Sequence, residues 1–172
     1  CGTGQSRKGQ DGKNLKIGIS VSDQYDTFVS ELVSNFQDYA KTREKDWGIS
    51  ITLDVENANK SQMIQNDQMD DFIKEGMDVV CINLVDRTDA STIIEKAQAS
   101  DVPVIFFNRE LVQEDLERWD KLYYIGANAS ESGTMQGKMA AELFQNNPSV
   151  DKNQDGVFQY IVLEGEAGHQ DA

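Results

Sequence analysis

The chain has 172 residues, and its 30 acidic side chains outnumber its 16 basic ones, which gives a formal net charge of −14 at pH 7. Such a charge disfavours attraction to the phosphates of nucleic acids or to an anionic lipid surface. The length and the ordinary composition predict a globular protein with a core of its own. No apolar run approaches the roughly 20 residues that a membrane-spanning helix needs.

The apolar residues recur alternately with the period of a strand and the period of a helix. In chain order, strands are predicted at 16–21, 49–55, 79–84, 104–107 and 122–125, and helices at 28–45, 61–75, 90–100 and 130–144. Strands that alternate with helices of this length indicate repeated βαβ units. The predicted fold class is therefore α/β, a doubly wound and mostly parallel sheet with helices on both faces.

The regular alternation of strands and helices ends after the last of these helices. Asn147 and Pro148 end it, a polar loop follows, and the apolar run at 160–163 predicts the first strand of another lobe. We expect three parts: a leash at 1–14, an N-terminal lobe at 15–126 and the start of a C-terminal lobe at 127–172.

The two cysteines do not suggest a disulfide framework. Cys81 lies in an apolar run and is expected to be a small buried side chain. Cys1 precedes a polar, glycine-rich segment, which is typical of a processed bacterial lipoprotein with a lipidated first residue and a flexible leash. Trimming of the chain at this position is the alternative. On the first interpretation the protein works outside the cytoplasmic membrane.

The polar loop at 151–159 has the spacing of a calcium-binding loop. Oxygen-bearing side chains occupy its positions 1, 3, 5 and 9, a glycine occupies position 6 and a backbone carbonyl position 7: Asp151, Asn153, Asp155, Gln159, Gly156 and Val157. Position 12 is Val162, where a helix-loop-helix calcium site carries a bidentate Glu. A polar Asx-type turn is the alternative.

Candidate ligand-binding residues follow the predicted strands, because ligands of such sheets bind outside the carboxyl ends of the strands. They are Asp26 and Phe28 after the first strand, Asn108 after the fourth, and His169 and Asp171 after the strand at 160–163. Carboxylate and amide groups bind hydroxyls, and an aromatic ring can lie against the apolar face of a pyranose. Each also has an ordinary alternative role: helix N-cap, core residue, turn former or surface loop residue.

The sequence contains few residue patterns that are typical of a catalytic site. The chain has one His, and residues 22–26 stand where a nucleotide-binding fold would carry a Gly-x-Gly-x-x-Gly loop. Asp26 and Asp171 could serve a glycosidase only in a hydrolytic geometry that sequence cannot show. We expect a binding protein and not an enzyme.

Taken together, these segments resemble the glucose/galactose-binding periplasmic protein family over residues 16–172. The stretches that carry the resemblance include Ile82-Asn83-Leu84-Val85-Asp86, Phe106-Phe107-Asn108, Gly168-His169-Gln170-Asp171 and the calcium-type loop. The resemblance implies a type I periplasmic-binding-protein fold with two hinged lobes. It also implies that the N-terminal lobe lacks a returning segment of the family's chain, which crosses the hinge three times.

The resemblance further implies a function. Such a protein captures glucose or galactose and delivers it to the membrane subunits of an ABC importer, with a chemoreceptor as an additional candidate partner. We expect a monomer, a structural Ca²⁺ ion, no nucleic-acid partner, and lipid anchoring through Cys1 at the extracellular face of the cytoplasmic membrane. The alternative is the sugar-sensing core of a LacI-type transcription regulator, against which Cys1 and its leash argue.

The family's roles can be assigned residue by residue. Asp26 would accept the hydroxyl at sugar carbon four, Phe28 would stack on the ring, and Asn108, His169 and Asp171 would hold other hydroxyls. The side chains of Asp151, Asn153, Asp155 and Gln159, with the Val157 carbonyl, would bind calcium together with a distal Glu. Ser22 and Gln170 depart from the family's pattern, which often has a bulky aromatic residue and a Pro there.

Overall fold

The structure is a computed structural model that describes residues 13–163. Its strands are β1 (Asn14–Val21), β2 (Ser50–Asn57), β3 (Val79–Ile82), β4 (Val104–Phe107) and β5 (Leu122–Ile125). Its helices are α1 (Thr27–Trp47), α2 (Gln62–Glu75), α3 (Ser91–Ser100), α4 (Gln113–Leu116) and α5 (Ala129–Asn146), followed by a 3₁₀ turn at Pro148–Val150. The chain divides into two compact units, before and after the boundary between Ile125 and Gly126.

The first unit is built on a five-stranded sheet in the order β2-β1-β3-β4-β5. All four neighbouring pairs are parallel, with Ile19 of β1 opposite Val55 of β2 and Cys81 of β3. The strand order reverses direction between β1 and β3, and the crevice at such a switch point is where open α/β sheets bind ligands. The predicted α/β class and parallel sheet are confirmed.

Both faces of this sheet are packed against helices. On one face α2 and α3 cover a cluster that includes Met69, Phe72, Val80, Ile82, Ile93 and Phe106. On the other face α1 covers a cluster that includes Ile17, Ile19, Val29, Cys81 and Phe107. Residues of one strand alternate between the two clusters, as the two-residue period of a strand requires. The continuous apolar runs of β3 and β4 follow from this burial on both sides.

Cys81 is buried, as its apolar run predicts. Its side chain is 7% exposed, and burial raises the pKa of its thiol to about 11. The sulfur is therefore protonated at neutral pH and lacks the thiolate that reactive cysteines require. Together with Ile105 and Phe107 it lines an apolar groove beside α1.

Gly18 of β1 lies directly against the ring of Phe72 on α2. A Cβ atom at this position would lie 2.7 Å from the ring of Phe72, which is itself fully buried. We expect Gly18→Ala to lower the free energy of unfolding by about 1–3 kcal/mol, the usual cost of overpacking a core, as measured by denaturant unfolding. Gly133→Ala on α5 is the control, since its Cβ would meet nothing within 4 Å. Equal unfolding midpoints for Gly18→Ala and the parent would contradict this packing.

In the second unit α5 ends at Asn146, close to the predicted end of the helix, and Pro148 opens the 3₁₀ turn. The predicted strand at 160–163 is wrong in the part of the chain that the structure describes. These four residues form no regular element, and Ile161 and Leu163 are 89% and 92% exposed. Apolar sequence alone does not make a strand, which needs a hydrogen-bonded neighbour. Among the helices at 13–163, none combines the length and the apolar character needed to cross a membrane.

Candidate functional site

The candidate site lies at the carboxyl ends of the strands in the first unit, on either side of the switch point between β1 and β3. Three loops meet the sheet here: 22–26 after β1, 83–90 after β3 and 108–112 after β4. Predicted site residues Asp26, Phe28 and Asn108 all belong to this edge. His169 and Asp171 lie outside the described residues.

Asp26 begins α1. Its Oδ1 accepts a hydrogen bond from the backbone N–H of Val29 at 3.0 Å, so it is the N-cap that the ordinary interpretation predicts. A carboxylate has two oxygens, and Oδ2 makes no hydrogen bond within residues 13–163. The side chain is exposed. The cap thus orients the carboxylate and leaves one oxygen able to accept a hydroxyl proton from a ligand.

Phe28 is 61% exposed, although it belongs to the apolar stripe of α1 by its spacing. The cluster under α1 includes Val29, Leu32, Val33 and Phe36 but not Phe28. The ring of Phe28 is therefore not part of the core in the described chain. An exposed phenylalanine close to an exposed carboxylate is suited to stacking on a sugar ring.

The loop after β1 is tied to the loop after β2. Lys60 donates its backbone N–H to the Ser22 carbonyl at 2.7 Å, and its ammonium lies 3.2 Å from Asp23 Oδ2. The backbone N–H of Tyr25, helped by Lys60, holds the pKa of the Asp23 carboxyl below its usual value. Asp23 is therefore charged at neutral pH, and these bonds weaken only when the pH falls through that lowered pKa.

Asn108 follows β4 in a left-handed conformation, with φ of 65°. Its backbone N–H donates to the Ile125 carbonyl at 3.1 Å, and its own carbonyl accepts from the Tyr124 hydroxyl at 3.2 Å. Asn tolerates this conformation better than most residues, because its short polar side chain can hydrogen-bond locally. The end of β5 thus fixes the backbone that carries Asn108.

Two arginines join the loops after β3 and β4 reciprocally. Arg87 donates from Nε to the Glu110 carbonyl at 2.8 Å, and Arg109 donates from Nη1 to the Val85 carbonyl at 2.7 Å. Both bonds are charge-assisted and partly buried, which makes them stronger than neutral ones. The loop after β3, which borders the switch point, is thereby held against the loop after β4.

Gln65 supports this edge from α2 but was not among the predicted site residues. Gln65 and Asn83, which directly follows β3, are fully buried, and the Gln65 side chain donates to the Asn83 carbonyl. The signal was available in α2, whose buried positions Gln65, Gln68, Met69 and Phe72 follow the helical spacing of an apolar stripe. Glutamines in such a stripe indicate buried hydrogen bonds.

The calcium-type loop lies in the second unit and is folded back on its first carboxylate. Asp151 accepts from the backbone N–H groups of Gln154 and Gly156, each at 2.8 Å, and Asp155 accepts from the Val157 N–H at 2.7 Å. Gln154 and Gly156 have φ of 59° and 77°, which curls the backbone. These bonds also suit an Asx-type turn, so the alternative stays open.

The donor set of this loop fits a hard cation, because every donor is oxygen. It is also incomplete. No group of three or more acidic, His or Cys side chains able to hold a metal ion occurs among residues 13–163. Two carboxylates of the loop, Asp151 and Asp155, would therefore need a further ligand from elsewhere in the protein.

At the carboxyl ends of the strands, the candidate site thus offers three groups to a ligand. They are a carboxylate oriented by its capping bond, an exposed aromatic ring, and an asparagine on a fixed backbone. This combination binds hydroxyl groups and the apolar face of a ring. Ser22, which departs from the family's pattern, is 5% exposed and donates its hydroxyl to Asn83 Oδ1 at 2.6 Å. It therefore supports the edge rather than projecting from it.

Comparison with known proteins identifies the family of the chain. The D-galactose/methyl-galactoside binding periplasmic protein MglB of Haemophilus influenzae is 36% identical over 157 residues, which is 91% of this chain and 46% of that protein. The ribose import binding protein RbsB of Bacillus subtilis is 32% identical over 61% of this chain and 32% of its own length. This chain thus spans about half the length, or less, of these two relatives.

A solved Mycobacterium smegmatis structure in complex with β-D-fucofuranose has the same fold. Its TM-score is 0.66 at 22% identity, covering 92% of this chain and 47% of that chain. The two relatives from Haemophilus influenzae and Bacillus subtilis are described as binding proteins, which agrees with the expectation of a protein that is not an enzyme. The family of the periplasmic binding protein domain matches residues 17–172. The chain therefore belongs to the periplasmic binding protein domain family.

Proposed function

We propose that this chain forms part of a sugar-binding receptor that captures glucose or galactose between two hinged lobes and delivers it to an ABC importer. The observation that best supports this proposal is that Asp26 and Phe28 lie together at the start of α1. An N-cap carboxylate and a 61% exposed ring begin the helix next to the switch point. At the same edge of the sheet Asn108 is held on a fixed backbone.

The choice of hexose rests on the relative described as a D-galactose/methyl-galactoside binding protein. An aromatic ring and hydroxyl-binding side chains would suit many sugars, so they support the ligand class and not its identity. His169 and Asp171 remain proposed sugar ligands.

Calorimetry on the protein expressed from its complete gene tests this proposal. We expect galactose or glucose to bind with a dissociation constant of roughly 1 μM, which corresponds to about −8 kcal/mol. Ribose should bind more weakly. The 172-residue chain alone should bind far more weakly than the complete protein, because it spans only 46% of the galactose-binding relative. A complete protein that binds ribose but neither hexose would contradict the proposal.

A structural Ca²⁺ ion in the loop at 151–159 is part of the proposal. It is supported by the all-oxygen spacing of Asp151, Asn153, Asp155, Gln159 and the Val157 carbonyl. When bound, the ion would hold the curled backbone of this loop.

We also propose that Cys1 is lipidated and anchors the receptor outside the cytoplasmic membrane. A single acyl chain gives only marginal binding, whereas two give a stable anchor. The protein should therefore sediment with membranes, and Cys1→Ser should release it. Recovery of the natural protein from the cytosol with further residues before Cys1 would overturn the anchor and favour the transcription-regulator alternative. A monomeric receptor without nucleic-acid partners completes the proposal.

A further inference from the structure

One cluster contains every buried polar side chain found in the described part of the chain. Its five members are Ser20, Ser22, Gln65, Gln68 and Asn83. They lie at the carboxyl ends of β1 and β3 and on the face of α2 that covers them. Burying polar groups costs free energy unless each one is hydrogen-bonded, so their concentration at one edge of the sheet calls for a physical reason.

Gln65 is the centre of this cluster. Its Nε2 donates to Ser20 Oγ and to the Asn83 carbonyl, each at 3.0 Å, and its Oε1 accepts from the Val85 N–H at 3.0 Å. A glutamine amide has two N–H donors, and both are used here. One side chain on α2 thus fixes the end of β1, the end of β3 and the first turn of the loop after β3.

Asn83 extends these bonds to the strand ends that carry the candidate ligands. Its Oδ1 accepts from both the N–H and the hydroxyl of Ser22, at 3.2 and 2.6 Å, and its Nδ2 donates to the Phe107 carbonyl at 3.4 Å. Ser22 opens the loop that ends at Asp26. Phe107 directly precedes Asn108. Hydrogen bonds therefore connect Gln65, through Asn83, to the backbone on both sides of the switch point.

We propose that Gln65 is a positioning residue for sugar binding. It holds Asn83 and the loop after β3, and through Asn83 it sets the spacing between the segments that carry Asp26 and Asn108. The inference rests on the proposed function. An apolar side chain would serve stability alone, as Met69 and Phe72 do on the same stripe, whereas a satisfied polar network specifies one geometry.

The test compares Gln65→Glu with Met69→Ala in the complete protein. Gln65→Glu keeps the side-chain length and the acceptor for Val85 but removes both amide donors. Met69 is fully buried one turn further along α2, and its truncation destabilises the core without removing a bond to the strand ends. Galactose affinity is measured by calorimetry at a temperature where both variants and the parent are folded.

We expect Gln65→Glu to weaken galactose binding about tenfold or more, as the loss of buried hydrogen bonds implies, and Met69→Ala to stay within about twofold of the parent. Protonation of the introduced carboxyl would restore one donor, and burial raises the pKa of a carboxyl. The affinity of Gln65→Glu relative to the parent should therefore recover as the pH falls from about 8 to about 5.5. Equal affinity losses in the two variants, with no recovery at low pH, would overturn the positioning role.

A measurement without ligand separates this inference from the proposed function. Amide hydrogen exchange at Ser22 and Asn108 should be faster in Gln65→Glu than in Met69→Ala, because only the first variant loses the bond that holds Asn83 between these two segments. If the parent binds neither hexose, the proposed function fails while this comparison still decides whether Gln65 positions the edge. Equal exchange at both positions would refute it.

Discussion

Asp26→Ala is expected to weaken hexose binding by about 2 kcal/mol or more, roughly 30-fold, because it removes a charge-assisted hydrogen bond that the proposed closure of the two lobes would shield from water. The alanine also removes the N-cap of α1, which by itself costs about 0.5–2 kcal/mol of stability. Asp26→Asn separates the two effects, since asparagine caps helices equally well but replaces the second oxygen with a donor. Calorimetry gives the affinity, and thermal unfolding gives the stability.

Asp38→Ala is the matched control on the same helix. Asp38 is an exposed acid whose ion pair with Lys41 is also exposed, so its loss should change neither affinity nor stability measurably. Asn108→Ala should reduce affinity like the Asp26 variants, whereas Cys81→Ala should leave it nearly intact. If Asp26→Asn binds galactose as tightly as the parent, the carboxylate has no role beyond capping, and the residue-by-residue assignment is wrong.

Periodicity was sufficient to predict the five strands of the sheet and the four long helices, because their apolar residues pack on defined faces. It missed α4, whose four residues at Gln113–Leu116 are too few to show a period. It was wrong at 160–163, where an apolar run has no strand beside it in the described chain. Strand formation depends on a neighbour, and sequence pattern does not show whether that neighbour is present.

The candidate site was only partly predictable for a related reason. The position of Asp26 and Asn108 after strands follows from the parallel sheet, but the spacing that places Phe28 in the stripe of α1 does not reveal that its ring is 61% exposed. Gln65 and the reciprocal pair Arg87 and Arg109 depend on contacts between segments about 20 residues apart or more. Such contacts leave little trace in local pattern.

Calcium removal is expected to lower the melting temperature of the complete protein by several degrees. A ligand that binds only the folded state stabilises it by about 2.7 kcal/mol when its free concentration is 100 times the dissociation constant. Differential scanning calorimetry with added Ca²⁺ and with excess chelator measures the difference. Asp155→Ala should melt at the lower temperature in both conditions, because it removes one of the two carboxylates in the loop.

Lys152→Ala is the control for this comparison, since Lys152 occupies position 2 of the loop, where no ligand is expected, and its side chain is exposed. It should respond to chelator as the parent does. The Asx-type turn makes the opposite prediction: Asp151 would still accept the N–H groups of Gln154 and Gly156 without any ion, so chelator would leave every melting temperature unchanged. That result would remove calcium from the proposal and leave the turn as the function of these residues.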